Sequence, residues 1–177
     1  MAQTLAVKYR PKTFEEVAGQ TITTKIINKV LEKQTFKNAY LFTGPSGCGK
    51  TSMSRLFAKY INNGVGEPIE IDAASNNGVD QVRAIIESAN QRSLTGTYKI
   101  YIIDECHMIT SAGWNAFLKG IEETPEYKIF IFCLSAHFLL VPFIFIKIQK
   151  DSNAAIRVFL FYFKSILYCS IILPSGR

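Results

Sequence analysis

Eight residues constrain this chain more than anything else in it: Gly44-Pro45-Ser46-Gly47-Cys48-Gly49-Lys50-Thr51. Their spacing is G-x-x-x-x-G-K-[ST], which cradles phosphates when a strand precedes it and a helix follows. Both flanks are present. Ala39 to Thr43 is a short apolar run, read as a buried strand. Lys50 to Ile61 carries Met53, Leu56, Phe57 and Tyr60 on one helical face. The glycines let backbone N–H groups converge on phosphate oxygens without a Cβ in the way. The helix N-terminus adds partial positive charge. Lys50 is expected to reach β- and γ-phosphates and Thr51 to ligate Mg²⁺. The competing account is a chance Gly-rich turn with a solvated lysine.

The pattern downstream alternates strand and helix. Ile69 to Ala73 reads as a strand, Asn76-Asn77-Gly78 as a turn and Val79 to Asn90 as a helix. Lys99 to Asp104 is a strand, Trp114 to Glu123 a helix stopped by Thr124-Pro125, and Ile129 to Cys133 a fourth strand. This order predicts a three-layer α/β fold with a central parallel sheet.

The third strand ends in Asp104-Glu105. In α/β folds the carboxyl edge of the sheet is where ligands bind. Asp104 is expected to hold Mg²⁺ through water, and Glu105 to polarise an attacking water as general base. With Lys50, these are the candidate catalytic residues. An apolar run ending Asp-Glu is weak alone; following the phosphate loop at this distance, it points to Mg-dependent nucleoside triphosphate hydrolysis. His107 reads either as a γ-phosphate sensor or as a loop histidine bonded to backbone. Cys48 and Cys106, expected to be neighbours, read as space-fillers rather than redox partners. Trp114 reads as helix-to-sheet packing.

Composition narrows the class. Hydrophobic residues make up 48% and charged residues 19%, so the chain can build a core. The four cysteines form no C-x-x-C pair, against a disulfide scaffold or zinc ribbon. Met1 to Pro11 lacks an apolar signal core, so the expected compartment is the cytoplasm. The net charge of +6 is compatible with a polyanion partner without identifying one.

Several segments together resemble one family. Leu5 to Gln20, with Tyr9-Arg10-Pro11, Phe14 and Val17-Ala18-Gly19-Gln20, resembles the N-terminal signature of clamp-loader ATPases. Ala39 to Pro45, Glu70 to Ser75, Asp104 to Met108, and Asn115 to Pro125 each resemble segments of bacterial DNA polymerase III gamma/tau subunits, in the family's order. The resemblance implies an AAA+ P-loop fold and ATP with Mg²⁺ as cofactors. It implies an ATPase acting within DNA polymerase III, associated with the holoenzyme's polymerase activity. The implied partners are other clamp-loader subunits, the sliding clamp and primed DNA. Tyr9, Arg10, Pro11 and Val17 match positions bordering the adenine. Arg83 matches a position that holds template phosphates; the alternative is a surface arginine paired with Glu87 one turn on.

Two departures from the family pattern stand out. Many members carry a four-Cys zinc module between the phosphate-loop helix and the next strand. Here Asn62 to Pro68 has no Cys, so no zinc is expected. After strand four the family continues with a sensor Thr and a Ser-Arg-Cys motif. This chain reads Cys133-Leu134-Ser135-Ala136-His137-Phe138, with Ser135 a weak stand-in for the Thr. The helical lid and C-terminal domain of the family are accordingly expected to be missing.

The last part of the chain differs in composition. After Lys128, 49 residues hold eight of the 13 Phe, one Gly and one acid, Asp151. The expected division is an incomplete AAA+ nucleotide-binding domain over 1–135 and a divergent apolar tail over 136–177. The favoured account of that tail is out-of-frame reading of AT-rich DNA. The alternatives are a family-specific buried tail, and a membrane hairpin drawn from Ile129 to Ile146 and Val158 to Leu173. The rival functions are another AAA+ nucleic-acid motor, since Asp104-Glu105-Cys106-His107 superficially resembles a D-E-x-H box, and a truncated ATP-binding product without turnover.

Overall fold

A computed structural model describes residues 8–93, 96–122, 125–135 and 156–160. In chain order they form α1 (Thr21–Lys33), β1 (Ala39–Gly44), α2 (Lys50–Ile61), β2 (Ile69–Asp72), α3 (Val79–Asn90) and β3 (Lys99–Asp104). A 3₁₀ turn (Cys106–Met108), α4 (Ser111–Glu122), β4 (Lys128–Ser135) and β5 (Ile156–Leu160) follow. The five strands make one parallel sheet in the order β2-β3-β4-β1-β5.

Strands covered on both faces explain the near-continuous apolar runs in the sequence. Alternate residues divide between two cores. Leu41, Tyr101, Ile103, Phe130 and Phe132 pack with Val82 of α3 and Phe117 of α4. Tyr40, Phe42, Ile102 and Ile131 pack on the opposite side with Ile27 of α1, Phe57 of α2 and Phe14. The result is the expected three-layer sandwich. Trp114 lies against Phe132 at 5.2 Å between ring centroids, a packing role as expected.

Three elements depart from the sequence reading. No helix was expected over Thr21–Lys33, whose β-branched residues have modest helix propensity. Thr23, Ile27 and Val30 nevertheless fall one turn apart and are buried, so packing decides. The helix expected from Trp114 begins at Ser111. Thr110 Oγ1 accepts the Gly113 N–H at 3.2 Å and thereby caps the first turn.

The third departure lies beyond residue 135. The sheet takes its fifth strand from 156–160, which run parallel to β1 with Ala39 opposite Ile156 and Thr43 opposite Leu160. These residues were expected to lie outside the domain. The other runs read in the tail, including Phe138-Leu139-Leu140-Val141, Phe143 to Ile146 and residues 161–173, lie outside the described residues. Ile129 to Cys133, expected as the fourth strand and weighed only in the alternative as the start of a membrane hairpin, lies in the central strand β4. No helix among the described residues is long and apolar enough to cross a membrane.

Candidate nucleotide site

The carboxyl ends of β1, β3 and β4 lie side by side because β4 sits between the other two. Each strand delivers one piece of the site: the loop after β1, Asp104 and Glu105 after β3, and Ser135 closing β4.

The loop turns sharply before α2. Gly47 and Gly49 have φ of +75° and +93°, conformations that L side chains adopt only with strain. Gly49 is the residue immediately before α2, so the free N–H groups of that helix's first turn face the loop. Lys50 is buried, and its ammonium donates to the carbonyls of Gly44 at 3.2 Å and Pro45 at 2.8 Å. The cation is thus held in the loop's concavity.

Thr51 Oγ1 donates to Asp104 Oδ2 at 2.7 Å. Asp104 Oδ1 accepts the Glu105 N–H at 3.0 Å. Glu105 has φ +48°, an uncommon value for a residue with a side chain. Its Oε1 accepts from Ser135 Oγ at 3.0 Å, and its Oε2 lies 3.3 Å from His107 Nδ1. Ser135, a weak candidate from sequence, therefore contacts the expected base directly. The expected Lys50, Thr51, Asp104 and Glu105 are brought to one sheet edge.

A cleft of about 510 Å³ opens between the N-terminal segment and the loop. That volume suits a nucleoside-sized ligand. Tyr9, Pro11 and Val17 line it together with Gly47, Cys48 and Gly49, whereas Arg10 does not. Met53 and Gln20, overlooked in the sequence, line it too. Met53 belongs to the buried apolar face of α2 and Gln20 immediately precedes α1, so nothing in their spacing singled them out as cleft residues.

The cysteines differ from expectation. Cys106 belongs to the α3–α4 core and Cys48 packs on the α1–α2 side, so the sheet separates them. The thiol bonded to a partner is Cys133, 3.1 Å from Ser54 Oγ, and burial pushes it up to about 12. Burial likewise raises the thiols of Cys106 and, opposed by the Lys50 charge, Cys48. All three are free and serve as packing groups. Arg83 pairs with Asp80 at 3.6 Å, one turn back, instead of with Glu87.

Comparison with known proteins separates fold from family. Two solved Thermotoga maritima structures share the fold: a DNA polymerase III gamma subunit-related protein and the RuvB Holliday junction branch migration motor. The first superposes with TM-score 0.61 at 21% identity, covering 78% of this chain and 46% of that one. The second gives 0.65 at 19% identity, covering 89% and 50%. At such identities they establish the fold alone. Residues 67–150 match the family described as DNA polymerase III, delta subunit. Across 150 aligned positions the chain is 43% identical to the DNA polymerase III subunit tau of Bacillus subtilis, covering 73% of this chain. Over that stretch the chain is similar to DNA polymerase III gamma/tau subunits. It spans 27% of the length of that relative.

Proposed function

We propose that this chain is an ATP-binding clamp-loader subunit of bacterial DNA polymerase III, using Mg-dependent ATP hydrolysis to help place the sliding clamp on primed DNA. The observation that carries the reading is the convergence of Thr51 and Asp104 beside a loop holding Lys50. In this reading the loop residues Gly44 to Thr51 bind the phosphates, with Lys50 neutralising their charge. Thr51 and Asp104 hold Mg²⁺, which screens phosphate charge when bound. Glu105 takes the proton of the attacking water. Tyr9, Pro11 and Val17 border the base, and Arg10 is the remaining candidate of that segment. Arg83, on the exposed face of α3, is a candidate contact for template phosphates.

The nucleotide-binding unit comprises residues up to 135 together with the strand from 156–160. The partners are other clamp-loader subunits, the clamp and primed DNA, and the compartment is the cytoplasm. No zinc is expected in the Cys-free interval from Asn62 to Pro68.

Calorimetry on the whole chain tests the site: Mg-ATP binds the parent protein, and Lys50→Ala abolishes binding. Unchanged affinity in that variant sinks the assignment. ATP-dependent co-elution with the clamp supports clamp loading; selective binding to four-way DNA junctions instead would favour a branch-migration motor. ATP binding without hydrolysis, even with clamp and DNA added, would favour a binding product without turnover.

A further inference from the structure

We propose that His107 is a positioning residue for Glu105, donating from Nδ1 to Glu105 Oε2 and fixing the carboxylate plane. This rests on the reading of Glu105 as the base. Both side chains are partly exposed, yet Glu105 Oε2 and His107 Nδ1 are themselves covered, and neither has an aligned hydrogen-bond partner. They lie 3.3 Å apart. Among the described residues, no hydrogen bond engages either atom. A carboxylate oxygen only accepts, so the pairing requires the imidazole proton on Nδ1. The opposite tautomer would turn a nitrogen lone pair toward the carboxylate.

The backbone holds the two groups in this relation. The Met108 N–H donates to Glu105 O at 2.9 Å, closing the turn around His107. Cys106, fully buried, anchors that turn to the core. Glu105 itself keeps a left-handed φ of +48°, which the surrounding bonds sustain. Ser135 fixes Oε1 from the neighbouring strand. With one donor on each oxygen, the carboxylate can turn in neither direction without losing a bond. Its second lone pairs remain free for a water proton. Removing His107 releases one side, and the base loses its aim while the phosphate loop is untouched.

Nitrogen-resolved NMR of the imidazoles tests this on the whole chain at pH 8.5. The only histidines are His107 and His137, and His107→Asn identifies the His107 signal by its loss. The expected spectrum has the His107 proton on Nδ1, moving to Nε2 in Glu105→Ala. A proton on Nε2 in the parent protein, or a tautomer indifferent to Glu105→Ala, overturns the proposal whatever the hydrolysis rate. Single-turnover ATP hydrolysis with protein in excess supplies the second readout. His107→Asn, whose amide donates from the Nδ1 position, keeps the parent rate. His107→Gln lowers it about 10–100-fold with ATP affinity unchanged. Equal rates in the two variants would overturn the proposal. Failure of the parent protein to bind ATP would instead overturn the site reading, leaving the tautomer to judge the His107–Glu105 pair.

Discussion

Thr51 and Asp104, 53 positions apart in sequence, share a 2.7 Å hydroxyl-to-carboxylate hydrogen bond. That bond joins the first turn of α2 to the end of β3 across the neighbouring strand ends. Both residues are proposed to hold the same metal ion. Thr51→Val and Asp104→Asn should therefore each weaken Mg-ATP binding about tenfold or more, near 1.4 kcal/mol. Binding in EDTA should hardly change, and the double variant should lose less than the sum of the two. Calorimetry in the two buffers checks this; equal losses with and without Mg²⁺ would remove the metal role.

Asn62 ties the end of α2 to the start of β3. Its Nδ2 donates to Tyr98 O at 2.8 Å, and its Oδ1 accepts the Tyr98 N–H at 2.9 Å. Asn62→Ala leaves both backbone groups without that partner and should cost about 1–3 kcal/mol. Asn62→Asp keeps the acceptor and should fall between. Urea unfolding of the three proteins measures the order, and a neutral Asn62→Ala would refute the tie.

Gly120 is where α4 approaches α3 closely. A Cβ there would meet three side-chain carbons of Ile86 at 2.8–3.0 Å. Alanine in a helix gains about 1 kcal/mol over glycine, but overpacking costs about 1–3 kcal/mol. Gly120→Ala should therefore be slightly destabilising and Gly120→Val clearly so. Thermal unfolding decides; a stabilised Gly120→Ala would mean that the helices separate easily.

Stability should fall on the alkaline side. The Cys133 thiol titrates near 9.0 when exposed and is pushed up to about 12 in the fold by burial. Below pH 9 both states keep the proton and the contribution is fully present. Between pH 9 and 12 the unfolded chain ionises while the folded one stays protonated. Stability then declines by up to about 1.4 kcal/mol per pH unit. Cys106, shifted the same way, adds to the slope. Unfolding curves at pH 8 to 11 should be shallower in pH for Cys133→Ala, and an unaltered slope would exclude Cys133 as a source.

Ending the chain at Ser135 would remove the strand that flanks β1. If the tail were foreign to the fold, as its composition suggests, its removal would give a more soluble product. The pairing of Ala39–Thr43 with 156–160 leads to the opposite expectation. An unpaired, apolar β1 edge should promote association. Light scattering of the shortened and whole chains distinguishes the two, and a monodisperse, folded 1–135 chain would show that β5 is dispensable.

The parts whose physics is local were legible in the chain alone. The glycines at 47 and 49, the apolar run before them and the amphipathic helix after them specify a phosphate loop without reference to the rest of the chain. β1, β3 and β4 were legible because two-sided burial leaves continuous apolar runs. Which strand ends meet is settled by the assembled sheet. Strand order brings Ser135 to Glu105 and Thr51 to Asp104, and no spacing rule encodes that adjacency. The sheet also separates Cys48 from Cys106, though both flank the site in sequence. α1 forms because its buried stripe packs on the α2 side, overriding propensity. The fifth strand exists because β1 offers a ladder, which tail composition could not reveal. Glu105's left-handed backbone and its approach to His107 are likewise products of assembly: a strained φ persists only where surrounding contacts hold it, and those contacts come from its own turn and from Ser135 on the neighbouring strand.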